Sequence, residues 1–213
     1  MLTVTVVDYG VGNLFSVRAA LEYCGVDKVI FAKTESEIIN ADRLILPGVG
    51  AFMDGMNGLK EMSLIDPITR YVKTGNPILG ICLGMQMLGT QSEEFGLHQG
   101  LNLIPGKVIK ISSEDISGNS RKVPFVGWAE LHLNTSDKFK PNILSDLSNQ
   151  SAVYLVHSYH FVAESENHTL AYYDYYGLKV CAAIQRENII GLQFHPEKSS
   201  KAGLGILKNF LSI

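Results

Sequence analysis

Short apolar runs and helix-spaced apolar residues alternate over the first ninety positions, and the alternation predicts the elements there. Leu2–Asp8 is a β-branched run that ends in the turn Tyr9-Gly10-Val11-Gly12-Asn13. From Leu14 to Tyr23, the apolar residues Leu14, Val17, Ala20 and Leu21 recur at helical spacing, and Gly25 supplies the stop. Val29–Phe31 and Leu44–Leu46 predict strands, with Pro47-Gly48-Val49-Gly50 as a tight loop after the second. Helices are expected over Asp54–Glu61 and Pro67–Lys73, followed by the strand Ile78–Ile81 and a helix over Met85–Gly89. Such alternation implies an α/β fold: an open, mixed, mainly parallel twisted sheet with helices on both faces, of the flavodoxin-like kind.

The second half changes period. Val108–Ile111, Val123–Val126, Glu130–Leu133, Val153–Val156, Tyr159–Ala163, Thr169–Tyr175, Val180–Ala183 and Ile189–Gln193 are short strand-like runs separated by turns, and they predict extra antiparallel strands. Glu114–Arg121 is polar and contains glycine, as an exposed hairpin tip or loop would. One amphipathic helix, about Ala202–Leu211, ends the pattern. No repeat, linker or low-complexity tract interrupts it, so residues 1–213 are expected to form a single domain. In open α/β sheets, sites form at the carboxyl ends of strands, which directs attention to the loops after Asp8, Leu46 and Ile81.

Composition narrows the function classes. With 46% hydrophobic and 18% charged residues, the chain can bury a full core. A net charge of -3 without a basic block gives no nucleic-acid footprint and no polybasic membrane patch. No apolar run approaches the roughly eighteen residues of a spanning helix, and the first residues lack the basic start and apolar stretch of a signal peptide. Cys24, Cys82 and Cys181 make an odd count with no CxxC pairing, which suits free thiols in a reducing compartment. The expectation is a cytoplasmic protein that is neither a nucleic-acid binder nor a membrane protein.

Cys82 sits in Gly80-Ile81-Cys82-Leu83-Gly84, between an apolar strand and a helix. Glycines two residues to either side give the form of a nucleophile elbow, a turn too sharp for side chains at those places. The geometry sets the thiol at a helix N-terminus, where free N–H groups favour thiolate, and aims the Leu83 N–H at a developing oxyanion. Cys24 and Cys181 lie inside apolar patterns without such a frame and read as small core residues. Gly-x-Cys-x-Gly by itself does not separate amide hydrolysis from peptidase or esterase chemistry.

A thiolate that attacks an amide needs a proton donor for the leaving group, and His195-Pro196-Glu197 follows another strand's carboxyl end. Pro196 stiffens the turn, and Glu197 is close enough to hold the imidazole in one tautomer. His-x-Glu is common by chance, and the Cys82 elbow makes this one the favoured partner. His132 and His160 lie in strand-like runs and His98 and His168 in polar loops, all expected to be structural. His157, in Val156-His157-Ser158-Tyr159, is a candidate site-lining residue.

Pro47-Gly48-Val49-Gly50, Gly80-Ile81-Cys82-Leu83-Gly84-Met85-Gln86 and Gln193-Phe194-His195-Pro196-Glu197-Lys198-Ser199 together resemble the class I, triad-type glutamine amidotransferases. The opening Asp8–Asn13 segment, Val156-His157-Ser158-Tyr159 and Gly127-Trp128 narrow the resemblance to the glutaminase subunits of imidazole glycerol phosphate synthases, over essentially the whole chain. The resemblance implies Cys82 as nucleophile, His195 as general acid and base, and Glu197 as its orienter. It implies that Gln86 and Glu94 hold the glutamine, that Gly50, Ser158 and Tyr159 contact it mainly through backbone atoms, and that Val49 and Leu83 supply the oxyanion hole. The resemblance further implies that a peptide near Val49 must flip to complete that hole, and that partner binding favours the flip. Asn13 and Trp128 match the mouth of an interface with a (β/α)8-barrel synthase subunit that receives the ammonia. The resemblance implies no metal or organic cofactor.

One stretch departs from the family. Where it usually reads Pro-His-x-Gly-Trp-Asn, this chain has Pro124-Phe125-Val126-Gly127-Trp128-Ala129, which removes polar groups expected near the interface. That leaves open a paralogous glutaminase that feeds a sugar-amidating enzyme of surface-polysaccharide biosynthesis. A free-standing cysteine hydrolase of the same fold is the other alternative. It would not need the Tyr9–Asn13 loop and would be fully active alone.

Overall fold

The β-branched run near the N-terminus becomes an interior strand of an eight-stranded sheet. The computed structural model describes residues 1–115, 117–134, 143–147 and 151–213. The first half runs β1 (Thr3–Val7), α1 (Leu14–Tyr23), β2 (Lys28–Ala32), α2 (Glu35–Ile39), β3 (Leu44–Gly48), α3 (Phe52–Glu61), α4 (Ile65–Val72), β4 (Ile78–Cys82) and α5 (Leu83–Met87). Next come β5 (Gln91–Ser92), β6 (His98–Gln99), β7 (Gly106–Lys110), β8 (Phe125–Glu130), β9 (His132–Leu133) and β10 (Ala152–His157). The chain ends with β11 (Tyr159–Ala163), β12 (Thr169–Tyr175), β13 (Leu178–Arg186), β14 (Ile189–Leu192) and α6 (Ser200–Leu211).

In the main sheet, β2-β1-β3-β4-β14 are parallel, and β13, β12 and β9 extend it antiparallel. The order reverses direction between β1 and β3, so the loops leaving those strands part at a crevice. Alternate residues sort to the two faces as a pleated strand requires. Val4, Val6, Ile45, Leu79 and Ile81 pack with Val17 and Leu21 of α1 and Ile206 and Phe210 of α6. Val7, Leu44, Leu46 and Ile78 pack with Ile38, Phe52, Leu59, Ile68 and Tyr71 of α2, α3 and α4. Helices on both faces and antiparallel additions in the second half agree with the sequence pattern.

Several boundaries differ for local reasons. The helix expected over Met85–Gly89 is Leu83–Met87, because the chain turns straight out of Cys82 into it. At five residues it has little macrodipole, and what it offers Cys82 is free first-turn N–H groups. α2 is too short to show a period; Thr34 Oγ1 accepts from the Glu37 N–H, and Glu37 accepts from the Thr34 N–H, forming a capping box. The strand expected from Val123 begins at Phe125, since Pro124 has no N–H to give a ladder. Arg121 is buried, not part of an exposed tip: its guanidinium donates to the carbonyls of Ser112, Glu114 and Tyr176.

Two smaller sheets rest on this frame. β8 and β10 form an antiparallel ribbon, and β11-β7-β5-β6 form a four-stranded sheet. Phe125 and Ala129 of the ribbon pack inward, while Val126, Trp128 and Val156 face out. Among the described residues, no helix is long and apolar enough to cross a membrane.

Candidate active site

Cys82 is the last residue of β4 and the cap of α5, at φ 55° and ψ −110°, a region that residues with a Cβ avoid. Such strain persists only where the surroundings enforce it, and the glycine frame shows how. A Cβ on Gly84 would overlap the Leu46 carbonyl, and one on Gly80 would stand 2.8 Å from the Gly84 backbone. The elbow therefore presses α5 against β3 and lifts the thiol over the carboxyl edge of the sheet. The N–H of Leu83, first in the helix, has no carbonyl to serve inside it.

β14, hydrogen-bonded to β4, delivers His195 beside the thiol. Glu197 Oε1 lies 2.8 Å from His195 Nδ1, and both side chains are almost fully buried. A carboxylate only accepts, so Nδ1 carries the proton and Nε2 is left for Cys82. Burial alone would lower the imidazole's pKa, but hydrogen bonds to Cys82 and Glu197, together with their charges, push it up to about 9. The backbone fixes the ring's base. His195 N–H donates to Tyr154 O at 3.0 Å, and Ser199 Oγ donates to His195 O at 2.6 Å while accepting from Tyr154 N at 3.0 Å.

A cavity of about 330 Å³ opens over Cys82 and His195, lined by Val49, Gly50, Leu83, Gln86, Glu94, Ser158 and Tyr159. It brings the expected nucleophile, base and binding residues to one place. Gln86 is buried rather than an exposed helix residue. Its Nε2 donates to Tyr159 O at 3.1 Å and Gln193 Oε1 at 2.9 Å, which leaves its own oxygen as an acceptor. Glu94 is no free loop charge, since its Oε2 accepts from Phe52 N–H at 2.6 Å. Two acceptors in one cavity with a thiol and an imidazole suit a ligand that carries an ammonium group.

Asn13 and Trp128 lie outside that cavity. Asn13 caps α1, accepting from Ser16 N–H at 3.3 Å, and lines a narrow crevice with Pro47, Val49, His195 and Glu197. Trp128 is 53% exposed, edge-on to Tyr154, so the chain's one tryptophan is not core. The departure at Phe125 and Ala129 falls on the ribbon's inward face. Phe125 packs on Tyr173 and Tyr175 at centroid distances of 5.0 and 4.8 Å, and the outward residues are untouched by it.

The other histidines separate cleanly. His157 lines the cavity, but Tyr159 O at 2.8 Å and the Tyr173 hydroxyl at 2.9 Å occupy its two ring nitrogens. Burial pushes its pKa down to about 4, so it stays neutral. His132 stacks on Tyr172. A larger cavity of about 480 Å³ elsewhere is lined by His160, Tyr172, Lys179 and Cys181. Burial pushes the Cys181 thiol up to about 12 and no base is bonded to it, so of the two cavities the smaller is the one that sets a thiol beside a partnered histidine.

Sequence reasoning assigned no role to Gln193, Tyr9 or Ser199. Gln193 is fully buried with Nε2 3.8 Å from Cys82 Sγ, and Tyr9 donates to Pro47 O at 2.6 Å, tying two site loops together. The available signal was a polar residue ending an otherwise apolar strand, next to a candidate base.

Residues 5–213 match the family model described as glutamine amidotransferase class-I. Imidazole glycerol phosphate synthase subunit HisH 1 of Legionella pneumophila (strain Paris) is 46% identical, over 100% of both chains. The HisH subunit of Geobacter metallireducens is 43% identical over 99% of this chain and 98% of its own, and that of Chlorobaculum tepidum 40% over 97% and 98%. Among solved structures, PurLQS from Thermotoga maritima superposes with a TM-score of 0.73 at 18% identity, over 99% of this chain and 97% of that one. A putative GMP synthase component from Thermoplasma acidophilum gives 0.69 at 23%, over 100% and 93%. At those identities the structures testify to the fold alone.

Proposed function

This chain belongs to the class-I glutamine amidotransferases, on the branch of the HisH subunits, and from that premise we propose that it is the glutaminase subunit of an imidazole glycerol phosphate synthase. It hydrolyses L-glutamine to glutamate and ammonia. A (β/α)8-barrel subunit then uses the ammonia to make imidazole glycerol phosphate and aminoimidazole carboxamide ribotide in histidine biosynthesis. Residues 1–213 act as one amidotransferase domain in this reading. The unpaired thiols fit a reducing, cytoplasmic setting, and the reading makes this chain one half of a heterodimer with the barrel.

The chemistry follows from the line of buried groups. Cys82 Sγ attacks the side-chain carbonyl carbon of glutamine, and the carbonyl electrons move onto oxygen. The N–H of Leu83 and a peptide N–H at Val49 receive that oxyanion. His195 gives its proton to the amide nitrogen, ammonia leaves, and a thioester to Cys82 remains. Water, deprotonated by His195, attacks the thioester, and glutamate departs as the thiolate reforms. Glu197 holds the imidazole in the tautomer both steps use. Gln86 and Glu94 offer acceptors to the α-ammonium group, while the backbone at Gly50, Ser158 and Tyr159 lines the remainder. The single observation that carries this reading is the buried Glu197–His195 pair, bonded at 2.8 Å beside the strained Cys82 elbow.

The partner is inferred from the rim. Val49 and Val156 line the cavity mouth and are exposed, the ribbon's Val126 and Trp128 are exposed beside Val156, and apolar exposure of this kind at a site mouth is a docking signature. The Asn13 crevice behind His195 is the route we assign to ammonia. Because Phe125 and Ala129 face inward, the departure from the family pattern no longer favours a sugar-amidating system. The test is steady-state ammonia release from glutamine by the purified chain, alone and with the barrel subunit, for wild type and Cys82→Ser. Glutaminase activity that survives in Cys82→Ser would overturn the assignment.

A further inference from the structure

A chain of side-chain amides runs from the substrate cavity to the nucleophile, and its direction is fixed at one end by the backbone. The Tyr159 carbonyl can only accept, so the Gln86 atom 3.1 Å from it is the NH₂ group. That group also faces a Gln193 side-chain atom at 2.9 Å, which must then be the oxygen. The remaining Gln193 atom, 3.8 Å from Cys82 Sγ, is therefore an N–H donor pointed at sulfur. Gln193 is fully buried, and its own backbone N–H is held by Ala182 O at 2.8 Å, so the carboxamide has little freedom to turn away.

We propose that Gln193 is a positioning residue for the nucleophile: its carboxamide N–H holds Cys82 Sγ and favours the thiolate, while its oxygen anchors Gln86 at the cavity wall. The proposal rests on Cys82 being the nucleophile, and it assigns Gln193 no contact with substrate. A donor to sulfur is worth more to the anion than to the thiol, because hydrogen bonds to charged groups are roughly twice as strong as neutral ones. His195 also favours the thiolate, but it must leave the sulfur to protonate the departing ammonia. Gln193 carries no proton to give, so it stays on the sulfur throughout. Because Gln86 and Cys82 share this link, a ligand that draws on Gln86 also adjusts the thiol's angle of attack.

The measurement is the pH profile of iodoacetamide alkylation at Cys82 in the full chain, resolved by peptide mass so that Cys24 and Cys181 do not contribute. In Gln193→Glu the acceptor for Gln86 survives, but the donor to sulfur is lost and a negative charge stands beside it. The alkylation midpoint should rise by about one pH unit or more. Glutamine turnover with the barrel subunit should fall at least about tenfold, with KM changed less than about threefold, the pattern of a lost transition-state role. Gln193→Met removes the donor without adding charge and should give a smaller upward shift. In the unaltered protein, the Gln193 side-chain NH₂ resonances should titrate with the Cys82 midpoint. That observation covers the case in which neither variant folds. A midpoint unmoved in a folded variant, or NH₂ resonances indifferent to Cys82 ionisation, overturns the proposal. Alkylation reads the thiol directly, so such a result leaves the nucleophile assignment standing, whereas an active Cys82→Ser would remove it.

Discussion

At the scale of single residues, the site depends on which atoms are left free once structural bonds are made. Cys82→Ser keeps the size of the side chain but loses an ionisable thiol, so glutaminase turnover should fall by about 10³-fold or more while thermal stability is unchanged. Direct ammonia should still support synthesis by the barrel partner, which makes that assay the control. Glu197→Gln should lower turnover less than His195→Ala, by about 10²–10⁴-fold, because it orients the imidazole without moving the proton. Equal losses would show that the two roles are wrongly divided. pH separates them further. His195 holds its proton up to about 9, so activity should fall on the alkaline side as pH rises through that value. Removing the negative charge of Glu197 lowers the histidine's pKa, and the alkaline limb should move to lower pH. An alkaline limb that stays in place in Glu197→Gln would count against the ion pair as its cause. The meeting of Cys82, His195 and Glu197 was legible in the sequence because glycine spacing and a His-x-Glu pair are local patterns. Gln193 and Ser199 were not, since each acts through an atom supplied by a distant segment.

At the scale of elements, the elbow is a packing constraint before it is a catalytic device. Gly84→Ala would force a methyl into the Leu46 carbonyl and should destabilise the fold by about 3 kcal/mol, read from denaturant unfolding. Thr34→Ala, which opens the capping box of α2 far from the site, should cost about 1 kcal/mol and leave kcat alone. A kcat that fell with the second substitution would mean that α2 positions the site, which its contacts do not suggest. Parallel strands and longer helices could be read from the chain because each repeats its period over several residues. α2, β5 and β6 could not, since two to five residues carry no period. The inward turn of Phe125 was also hidden: β8 starts after a proline, and its register is set by pairing with β10, nearly thirty residues later. Knowing only the side-chain types, one would place that aromatic at the interface.

At the scale of the whole molecule, the buried histidines and the exposed rim set behaviour in opposite directions. Burial holds His157 and His160 at about 4, against about 6.5 for histidine in an unfolded chain. Both are neutral at pH 7, and as pH falls from about 6.5 towards 4 the unfolded state takes up protons that the fold refuses. The melting temperature should therefore decline across that window, less steeply in His160→Gln. A decline equally steep in that variant would assign the loss to carboxylates. Where completion of the oxyanion hole waits on a peptide flip at Val49 that partner binding favours, the isolated chain should be a slow enzyme, and ammonia release with the barrel present should be faster by orders of magnitude. Trp128→Ala, which among the described residues gives up one ring contact, to Tyr154, should weaken binding of the synthase barrel at little cost to stability. The ribbon behind that rim also has a temporal meaning. Tyr154 N–H is bonded to Ser199, and its carbonyl holds the amide of His195, so neither proton can exchange with solvent until ribbon and catalytic turn separate. In deuterium their two clocks should keep the same time, and both should slow together when a partner lies across the outer face.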